Sequence, residues 1–313
     1  MIIFFGSSSY SIPVLEALAK KEKIGVVTTP DKPAGRGQKI TPNPLAQWAE
    51  KKKLPLWKLA HLNQKTLEKL KKATSFTLGV CCVYGKIIPP CWLDAFPEGI
   101  LNIHPSLLPK YRGSAPVPFA ILRGERETGL TIIKMDEKCD HGPIIYQKSF
   151  PLSPRANSDE VYRTLFSFAG TIISSVIRQY RKKKITPLPQ NHSQATFTRR
   201  LKKADGFVPE KAVVLALKNQ PIPFGTAPSL LKELFPRKKT FSPLFLTRLF
   251  RALFPWPGLF TEISFGKTKK RLKLLQLENK KGKVSLEVVQ LEGKRPVTFS
   301  QFSSAYQWPP SLG

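Results

Sequence analysis

Short apolar runs alternate with stretches of helical spacing along the first 180 residues of this 313-residue chain. The strand-like runs are "MIIFF" (1–5), "IGVVTT" (24–29), "FTLGVCCVY" (76–84), "ILNI" (100–103), "LTIIKM" (130–135) and "IIYQKSF" (144–150), and the helix-like stretches cover 12–21, 44–53, 65–73 and 158–182. Strands that are separated by helices form a mainly parallel sheet with helices on both faces. The first part of the chain is therefore predicted to have an α/β fold.

The pattern changes near residues 178–192, where a run of charges meets two prolines. Beyond it, helix-like stretches give way to short β-rich runs, which are typical of a small mixed domain that ends in a β-barrel or meander. We expect an α/β domain over 1–180, a basic linker with prolines over 181–200, and a smaller domain over 201–313.

Positive charge is the unusual feature of the composition, with 51 Lys and Arg against 21 Asp and Glu and a net charge of +30. Residues 178–313 hold 27 of these cations and only 7 of the anions, which is twice the net excess of residues 1–177. A general habit of Lys-rich composition has no reason to concentrate charge in one part, whereas a surface that binds a polyanion does. The excess therefore suggests a polyanionic partner, either a nucleic acid or an anionic membrane surface.

The chain starts without the cationic lead and the long apolar run of an export signal. No apolar run approaches the roughly 20 residues that cross a bilayer. The four cysteines are Cys81, Cys82, Cys91 and Cys139, and they form no CxxC pair. We expect a cytoplasmic protein with buried free thiols, no disulfide frame and no metal site.

The stretch "NIHPSLLPKYRG" (102–113) places an amide and an imidazole at the end of a predicted strand. Ligands of open α/β sheets bind outside the carboxyl ends of the strands, and strand alternation puts Asn102 and His104 on one side. An amide donor and an imidazole suit a carbonyl oxygen that becomes anionic during a reaction. The alternative is a histidine in a surface turn.

A carboxylate that could orient His104 is found in "MDEKCDHGPIIY" (135–146), between two predicted strands. Asp140 is the candidate, and Gly142 after it permits an unusual backbone angle. The alternative role of Asp140 is that of an ordinary turn residue, which is very common in a "DHG" sequence. The residues alone favour neither reading.

The loop "DKPAGRGQK" (31–39) is too basic and too rich in glycine for a packed connection. Its cations Lys32, Arg36 and Lys39 suit a phosphate backbone, although a solvated loop is the alternative. Nucleotide-binding motifs are missing, because "FGSSSYS" after the first strand has a single glycine and no GxxxxGK[ST] occurs.

Seven segments occur in an order that resembles the methionyl-tRNA formyltransferases, which belong to the folate-dependent formyltransferases. They are "SSSYSIPVLEAL", "PDKPAGRGQK", "VYGKIIP", "LNIHPSLLPKYRGSAP", "ETGLTIIKMD", "CDHGPIIYQ" and "ALFPWPGLFT". The resemblance covers the first 175 residues well and the rest more thinly, through residues 195–206 and "PWPG". The segment around His104 is specific to the wider class, whereas "PAGRG" and "PWPG" indicate the tRNA enzymes.

The resemblance implies a Rossmann-like catalytic domain, an OB-like C-terminal barrel and formyl transfer from 10-formyltetrahydrofolate to methionyl-initiator tRNA, by a metal-free monomer. It implies that Asn102 and His104 stabilise the oxyanion and that Asp140 orients His104 and helps to remove the amine proton. It also implies folate contacts and tRNA contacts. The implied folate residues are Tyr84, Gly85, Ser106, Leu107, Leu108 and Pro109, and the tRNA residues are Lys32, Arg36 and Lys39.

Two features depart from the family pattern. "FGSSSYS" replaces the usual F-G-T-x-x-F form, and an extension is present near residues 222–245. Two other functions stay open. One is a formyltransferase for a small amine, such as glycinamide ribonucleotide or an amino sugar, which would not need the basic half. The other is a nucleic-acid-binding protein with an inert formyltransferase-like fold, against which Asn102, His104 and Asp140 argue.

Replacing Arg36 by alanine is expected to weaken use of the tRNA and to leave the folate site intact, because this side chain matches a loop arginine that approaches the acceptor stem. Steady-state kinetics with each substrate varied in turn test this. An unchanged kcat/KM for the tRNA would count against a contact at Arg36.

Overall fold

The computed structural model describes residues 1–34, 37–265 and 268–309. The chain groups into two compact units. The first consists of Met1–Pro116, Glu127–Pro151 and Val161–Arg199, and the second of Val117–Arg126, Leu152–Glu160 and the chain from Arg200 onward. The segment expected to be a linker, 181–200, therefore belongs to the first unit up to Arg199.

The first unit contains eleven strands within the described residues. They are β1 (Ile2–Phe5), β2 (Ile24–Thr28), β3 (Lys32–Ala34), β4 (Lys39–Thr41), β5 (Leu56–Lys58), β6 (Leu78–Cys81), β7 (Ile100–His104), β8 (Arg112–Gly113), β9 (Glu127–Lys134), β10 (Ile144–Pro151) and β11 (Phe197–Thr198). The helices of the whole described chain are α1 (Ile12–Ala19), α2 (Pro44–Lys51), α3 (Gln64–Ala73), α4 (Pro90–Leu93), α5 (Pro116–Arg123), α6 (Ser158–Arg181), α7 (Glu210–Leu217), α8 (Ser229–Leu234), α9 (Phe245–Leu253) and α10 (Phe299–Tyr306).

Seven strands of the first unit form one sheet in the order β10-β9-β7-β6-β1-β2-β5. The pairs from β7 to β5 are parallel, and β9 and β10 add antiparallel pairs at one edge. The prediction of an α/β fold with a mainly parallel sheet is thus confirmed. The carboxyl ends of β1, β6 and β7 lie side by side, because these strands are parallel neighbours.

The core is densest around β1, all of whose residues are fully buried. A strand that is covered on both faces needs apolar side chains in succession, which "IIFF" supplies. Phe5, its last residue, makes edge-to-face contacts with Tyr84, Trp92 and Phe96, with ring centroids 5.7–5.9 Å apart. Such aromatic pairs add to the stabilisation from apolar burial and fix the segments after β6 against β1.

Two local predictions were wrong, and one helix was missed. The segment expected as a loop over 31–39 takes part in a short antiparallel hairpin, β3 and β4. The strand expected over 76–84 ends at Cys81, because Val83 takes the left-handed conformation with φ +51°. Helix α5 was not predicted, since "PVPFAILR" begins with prolines. Prolines at the first and third positions of a helix remove only N–H groups that have no partner within the helix.

The second unit contains β12 (Ile222–Pro223), β13 (Thr240–Phe241), β14 (Leu259–Phe265), β15 (Thr268–Lys280), β16 (Lys283–Leu291) and β17 (Val297–Thr298). The last four form an antiparallel sheet in chain order. The extension at 222–245 folds on itself: β12 pairs with β13, and Phe241 contacts the rings of Phe224, Phe235 and Phe245. The extension therefore has a small aromatic core of its own.

Two kinds of feature are missing from the described residues. None of their helices combines the length and the apolar character that a membrane span requires. Nor does any group of three or more His, Cys, Asp or Glu side chains among them have the placement needed to hold a metal ion.

Substituting Gly142 by alanine is expected to cost about 2–3 kcal/mol of unfolding free energy, because a Cβ there would lie 1.8 Å from the carbonyl oxygen of Lys134. Urea unfolding measures this loss. Gly37→Ala is the control in the same unit, since the nearest atom to its Cβ would be 3.9 Å away. Equal effects of the two substitutions would contradict the expectation.

Candidate active site

Asn102 and His104 lie at the carboxyl end of β7, in the interior of the sheet. In the strand register Asn102 is opposite Cys81 of β6, and His104 is opposite Thr131 of β9. Strand alternation turns both side chains to the same face. His104 is buried and Asn102 is half-buried, so the amide is the more accessible of the two.

Asp140 lies against both of these side chains, although it is more than 35 positions further along the chain. The amide Nδ2 of Asn102 donates to Oδ1 of Asp140 over 3.0 Å, and Nδ1 of His104 lies 3.5 Å from the same oxygen. The Asp140 side chain is only 11% exposed. The structure thus brings the three residues singled out from the sequence together around one carboxylate.

The second nitrogen of His104 points at the loop that follows. Its Nε2 lies 2.9 Å from the carbonyl oxygen of Tyr111. A carbonyl can only accept, so Nε2 carries a proton and donates it. Tyr111 aims its carbonyl this way with a left-handed φ of +61°. Nδ1 is therefore the nitrogen that faces Asp140, and both edges of the imidazole are fixed.

The loop between His104 and Tyr111 is tied to β9 by Thr131. The hydroxyl of Thr131 donates to the carbonyl of Ser106 over 2.6 Å and accepts from the N–H of Leu108 over 3.3 Å. Ser106 and Leu108 are buried, and the Ser106 hydroxyl donates to the Lys110 carbonyl over 2.7 Å. These two predicted folate residues therefore hold the loop itself, while Leu107 and Pro109 remain partly exposed.

Asp140 adopts an unfavourable backbone conformation that its neighbours stabilise. Its φ is +47°. The sequence had suggested an unusual backbone angle at Gly142, but the angle lies at Asp140. The amide side chain of Gln190 donates to the carbonyl of Asp140 over 2.9 Å and to that of Gly142 over 2.7 Å. The N–H of Gly113 donates to Oδ2 of Asp140 over 2.8 Å.

Gln190 is in turn held by Arg112, whose guanidinium donates to the amide oxygen over 2.7 Å and to Nδ1 of His192 over 2.8 Å. Both Arg112 and Gln190 are buried. Sequence reasoning missed them, because Arg112 looked like one more cation and Gln190 lay in a presumed linker. No local signal links positions that are 78 residues apart.

Gly113 occupies a position that only glycine fits. Its φ is +107°, and a Cβ would lie 2.3 Å from the carbonyl oxygen of Thr198. This close approach is the pairing of β8 with β11. The pairing anchors the end of "NIHPSLLPKYRG" and aims the Gly113 N–H at Asp140.

The segment after β6, whose last residue Cys81 pairs with Asn102, presents apolar side chains to solvent. Val83 and Ile87 are exposed, Ile87 to 89%, and Gly85 between them has φ +75°. Tyr84 is buried beneath them, and among the described residues its hydroxyl has no hydrogen-bond partner. Burial, and to a smaller extent Cys81, raises the pKa of Tyr84. Sequence reasoning did not use Val83 and Ile87 as a signal for a site.

The predicted basic loop is only partly described. Lys32 and Lys39 lie exposed on β3 and β4, while Arg36 falls outside the described residues. Lys86 donates to the carbonyls of Leu59 and Ala60. Its pKa is lowered, first by burial and then by the charge of Lys32.

The cysteines near the site are not poised for nucleophilic chemistry. Burial, followed by the charge of Asp140, raises the pKa of Cys81 to about 12 and that of Cys139 to about 11. Both thiols are therefore neutral near pH 7. Cys139 is exposed, which corrects the expectation that all four thiols are buried, and its thiol donates to Oδ2 of Asp140 over 3.4 Å.

Comparison with known proteins shows the family. The formyl transferase family model matches residues 1–177. The methionyl-tRNA formyltransferase of Thermus thermophilus is 35% identical over 95% of this chain and 86% of its own length. That of Chloroflexus aurantiacus is 37% identical over 83% of this chain and 75% of its own. The chain belongs to the methionyl-tRNA formyltransferase family.

A solved structure of low sequence identity shows the same fold. The N-formyltransferase of Helicobacter canadensis, in complex with folinic acid and dTDP-3-aminofucose, is 19% identical and has a TM-score of 0.57, with 95% of this chain and 98% of that chain covered. The fold therefore occurs in a protein whose structure holds an amino-sugar nucleotide. Sequence identity, and not fold, places this chain among the methionyl-tRNA formyltransferases.

Substituting Gln190 by leucine is expected to lower the free energy of unfolding by about 3 kcal/mol. The substitution leaves two backbone carbonyls without their donor and removes one of the acceptors of Arg112, which keeps its contact with His192. Chemical denaturation measures the loss. Gln194→Leu serves as the control, because that side chain is exposed in the same segment. Surface substitutions scatter by about 0.5 kcal/mol, so a loss within that range of the control would contradict the role of Gln190.

Proposed function

We propose that this chain transfers the formyl group of 10-formyltetrahydrofolate to the α-amine of methionyl-initiator tRNA. The observation that carries the proposal is the shared contact of Asn102 and His104 with the Asp140 carboxylate. Membership of the methionyl-tRNA formyltransferase family supports this choice of substrates.

In the proposed reaction the amine nitrogen attacks the formyl carbon, and the formyl oxygen becomes an oxyanion. The Asn102 amide donates one of its two N–H groups to Asp140, and the other N–H can donate to that oxyanion. In this proposal His104 stabilises the same oxygen with its Nε2–H, which is then shared between the Tyr111 carbonyl and the oxyanion. The bond between the formyl carbon and N10 of the folate then breaks.

The proton that the amine loses must reach the leaving N10, so that charge and atoms balance. Asp140 is the acceptor in this proposal, directly or through a water molecule, and it keeps the imidazole of His104 in one orientation. The contact from the Gly113 N–H holds the other carboxylate oxygen in place. Preorganised donors of this kind lower the barrier because they do not have to reorient during the reaction.

The folate donor is proposed to cover the apolar surface after β6. Val83 and Ile87 are exposed there, next in the chain to a strand whose end pairs with Asn102. Tyr84 and Gly85 belong to the same segment, and Leu107 and Pro109 are the accessible part of the other implied folate set. A flat aromatic ring system gains most from such a surface.

The tRNA is proposed to contact both basic regions. Lys32, Arg36 and Lys39 would approach the acceptor stem, and the cations of residues 178–313 would bind more distant phosphates. The antiparallel sheet β14–β17 would form the core of an OB-like barrel. Two register shifts in the pairing of β15 with β16, between Leu274 and Leu277, support strong local curvature there. A monomeric state and a cytoplasmic location complete the proposal.

An amino-sugar acceptor would leave the charge of the basic half without a role. A test therefore offers the purified protein 10-formyltetrahydrofolate with three acceptors in parallel: methionyl-initiator tRNA, glycinamide ribonucleotide and a dTDP-amino sugar. Formylation of the tRNA alone is the expected outcome. Formylation of only a small amine would overturn the tRNA assignment but retain the chemistry of Asn102, His104 and Asp140.

Substituting His104 by alanine is expected to lower kcat about a thousandfold and to leave tRNA affinity nearly unchanged, because the oxyanion and proton contacts form mainly in the transition state. Single-turnover formylation and filter binding of the tRNA separate the two quantities. His61→Ala is the control, since that histidine is exposed and distant in sequence. A parallel loss of tRNA binding in the His104 variant would argue against a catalytic role.

A further inference from the structure

A cavity of about 410 Å³ lies within the second unit, and none of its lining residues belongs to the candidate active site. It is lined by the end of α5 and the residues just after it, by residues 152–154, and by two arginines of α9. Its charged and polar side chains are Glu125, Arg126, Ser153, Arg248 and Arg251. A volume of this size lies within the range of sites that bind small molecules.

Two arginines of the cavity are placed by α9. Arg248 and Arg251 are three positions apart on this helix, which puts them on one face. The guanidinium of Arg248 lies over the ring of Phe245 at 4.9 Å, and one of its nitrogens would be 2.7 Å from a Cβ at Gly124. The missing side chain of Gly124 therefore makes room for Arg248. Arg251 donates to the carbonyl of Ala156 over 3.0 Å.

The charges of the cavity are not balanced by its own side chains. Three guanidinium groups and one carboxylate line it, so two positive charges remain in excess. Burial, and to a smaller extent the charge of Arg248, lowers the pKa of Arg251, so part of the shift comes from repulsion between the two cations. An anion in the cavity would reverse that repulsion.

The donors in the cavity fit a tetrahedral oxyanion. Guanidinium groups present paired N–H donors that match phosphate oxygens. The oxygen of Ser153 accepts from the N–H of Arg155 over 3.3 Å, so its own hydroxyl proton can be donated to a ligand. Arg126 and Ser153 are exposed, which keeps the cavity open to solvent.

We propose that this cavity binds a phosphate group through Arg126, Arg248 and Arg251. The favoured source is a phosphodiester of the tRNA backbone, and this part rests on the proposed function. The high positive charge of residues 178–313 favours a polyanion over a small phosphate. A cavity larger than one phosphate leaves space for an adjoining ribose.

The test uses the full-length protein and the double variant Arg248→Met with Arg251→Met, which keeps the apolar stems of both side chains. Arg123→Met is the matched control, because Arg123 is an exposed arginine of the same unit that does not line the cavity and lies outside residues 178–313. Binding of inorganic phosphate at low salt is measured by calorimetry. Binding of the tRNA is measured over a series of salt concentrations.

We expect the wild type to bind inorganic phosphate and the double variant to lose at least tenfold in that affinity. For the tRNA, the slope of log affinity against log salt should fall by about 1 to 2 in the double variant and stay unchanged in the control, as expected for the loss of one or two phosphate contacts. If the double variant loses phosphate binding but keeps the same salt dependence of tRNA affinity, the ligand is a small phosphate and not the tRNA backbone. No phosphate binding by the wild type together with an unchanged slope would overturn the site.

If the double variant is destabilised, a second variant still tests the proposal. Arg126→Glu changes an exposed side chain at the cavity and is expected to weaken phosphate binding without loss of folding. Unfolding curves of each variant provide the check. Because phosphate binding is read without turnover, failure of the site and failure of the proposed formyl transfer give different results: the first leaves formylation intact, and the second leaves phosphate binding intact.

Discussion

One carboxylate holds the site together. Asp140 is nearly buried, and a buried carboxylate is stable only when donors surround it. Its donors come from separate parts of the chain, the Asn102 amide and the Gly113 backbone N–H, and Nδ1 of His104 lies 3.5 Å from it. Each of these contacts also fixes the group that makes it. The hydrogen bonds that stabilise the Asp140 carboxylate therefore also set the geometry that we propose for stabilising an oxyanion.

The support of this carboxylate reaches further than the residues that touch it. Gln190 holds the backbone of Asp140 in its left-handed conformation, and Arg112 holds Gln190. Thr131 ties the loop after His104 to the neighbouring strand. Catalytic groups that are fixed in this way do not need to reorganise when charge develops, which is the main source of electrostatic catalysis.

The candidate catalytic residues and most of the excess positive charge lie in different parts of the chain. Asn102, His104 and Asp140 belong to the first unit, whereas most of the net positive charge belongs to residues 178–313. A large RNA substrate makes this division useful, because distant phosphate contacts supply affinity that depends on salt and not on the reacting groups. The cavity around Arg248 and Arg251 gives one such contact a defined place and a defined partner, a single phosphate group.

The sequence by itself determined the parallel sheet, through its alternating strand and helix patterns, and the placement of Asn102 and His104 at a strand end. Family motifs added Asp140, for which the residues alone allowed two readings. Only the tertiary structure decided that Nε2 of His104 donates to Tyr111 and that Gln190 holds Asp140. These contacts depend on left-handed backbone angles and on pairs up to about 80 residues apart. Local propensity carries no information about such contacts, because they form only when the strands pack and bring distant loops to one edge of the sheet.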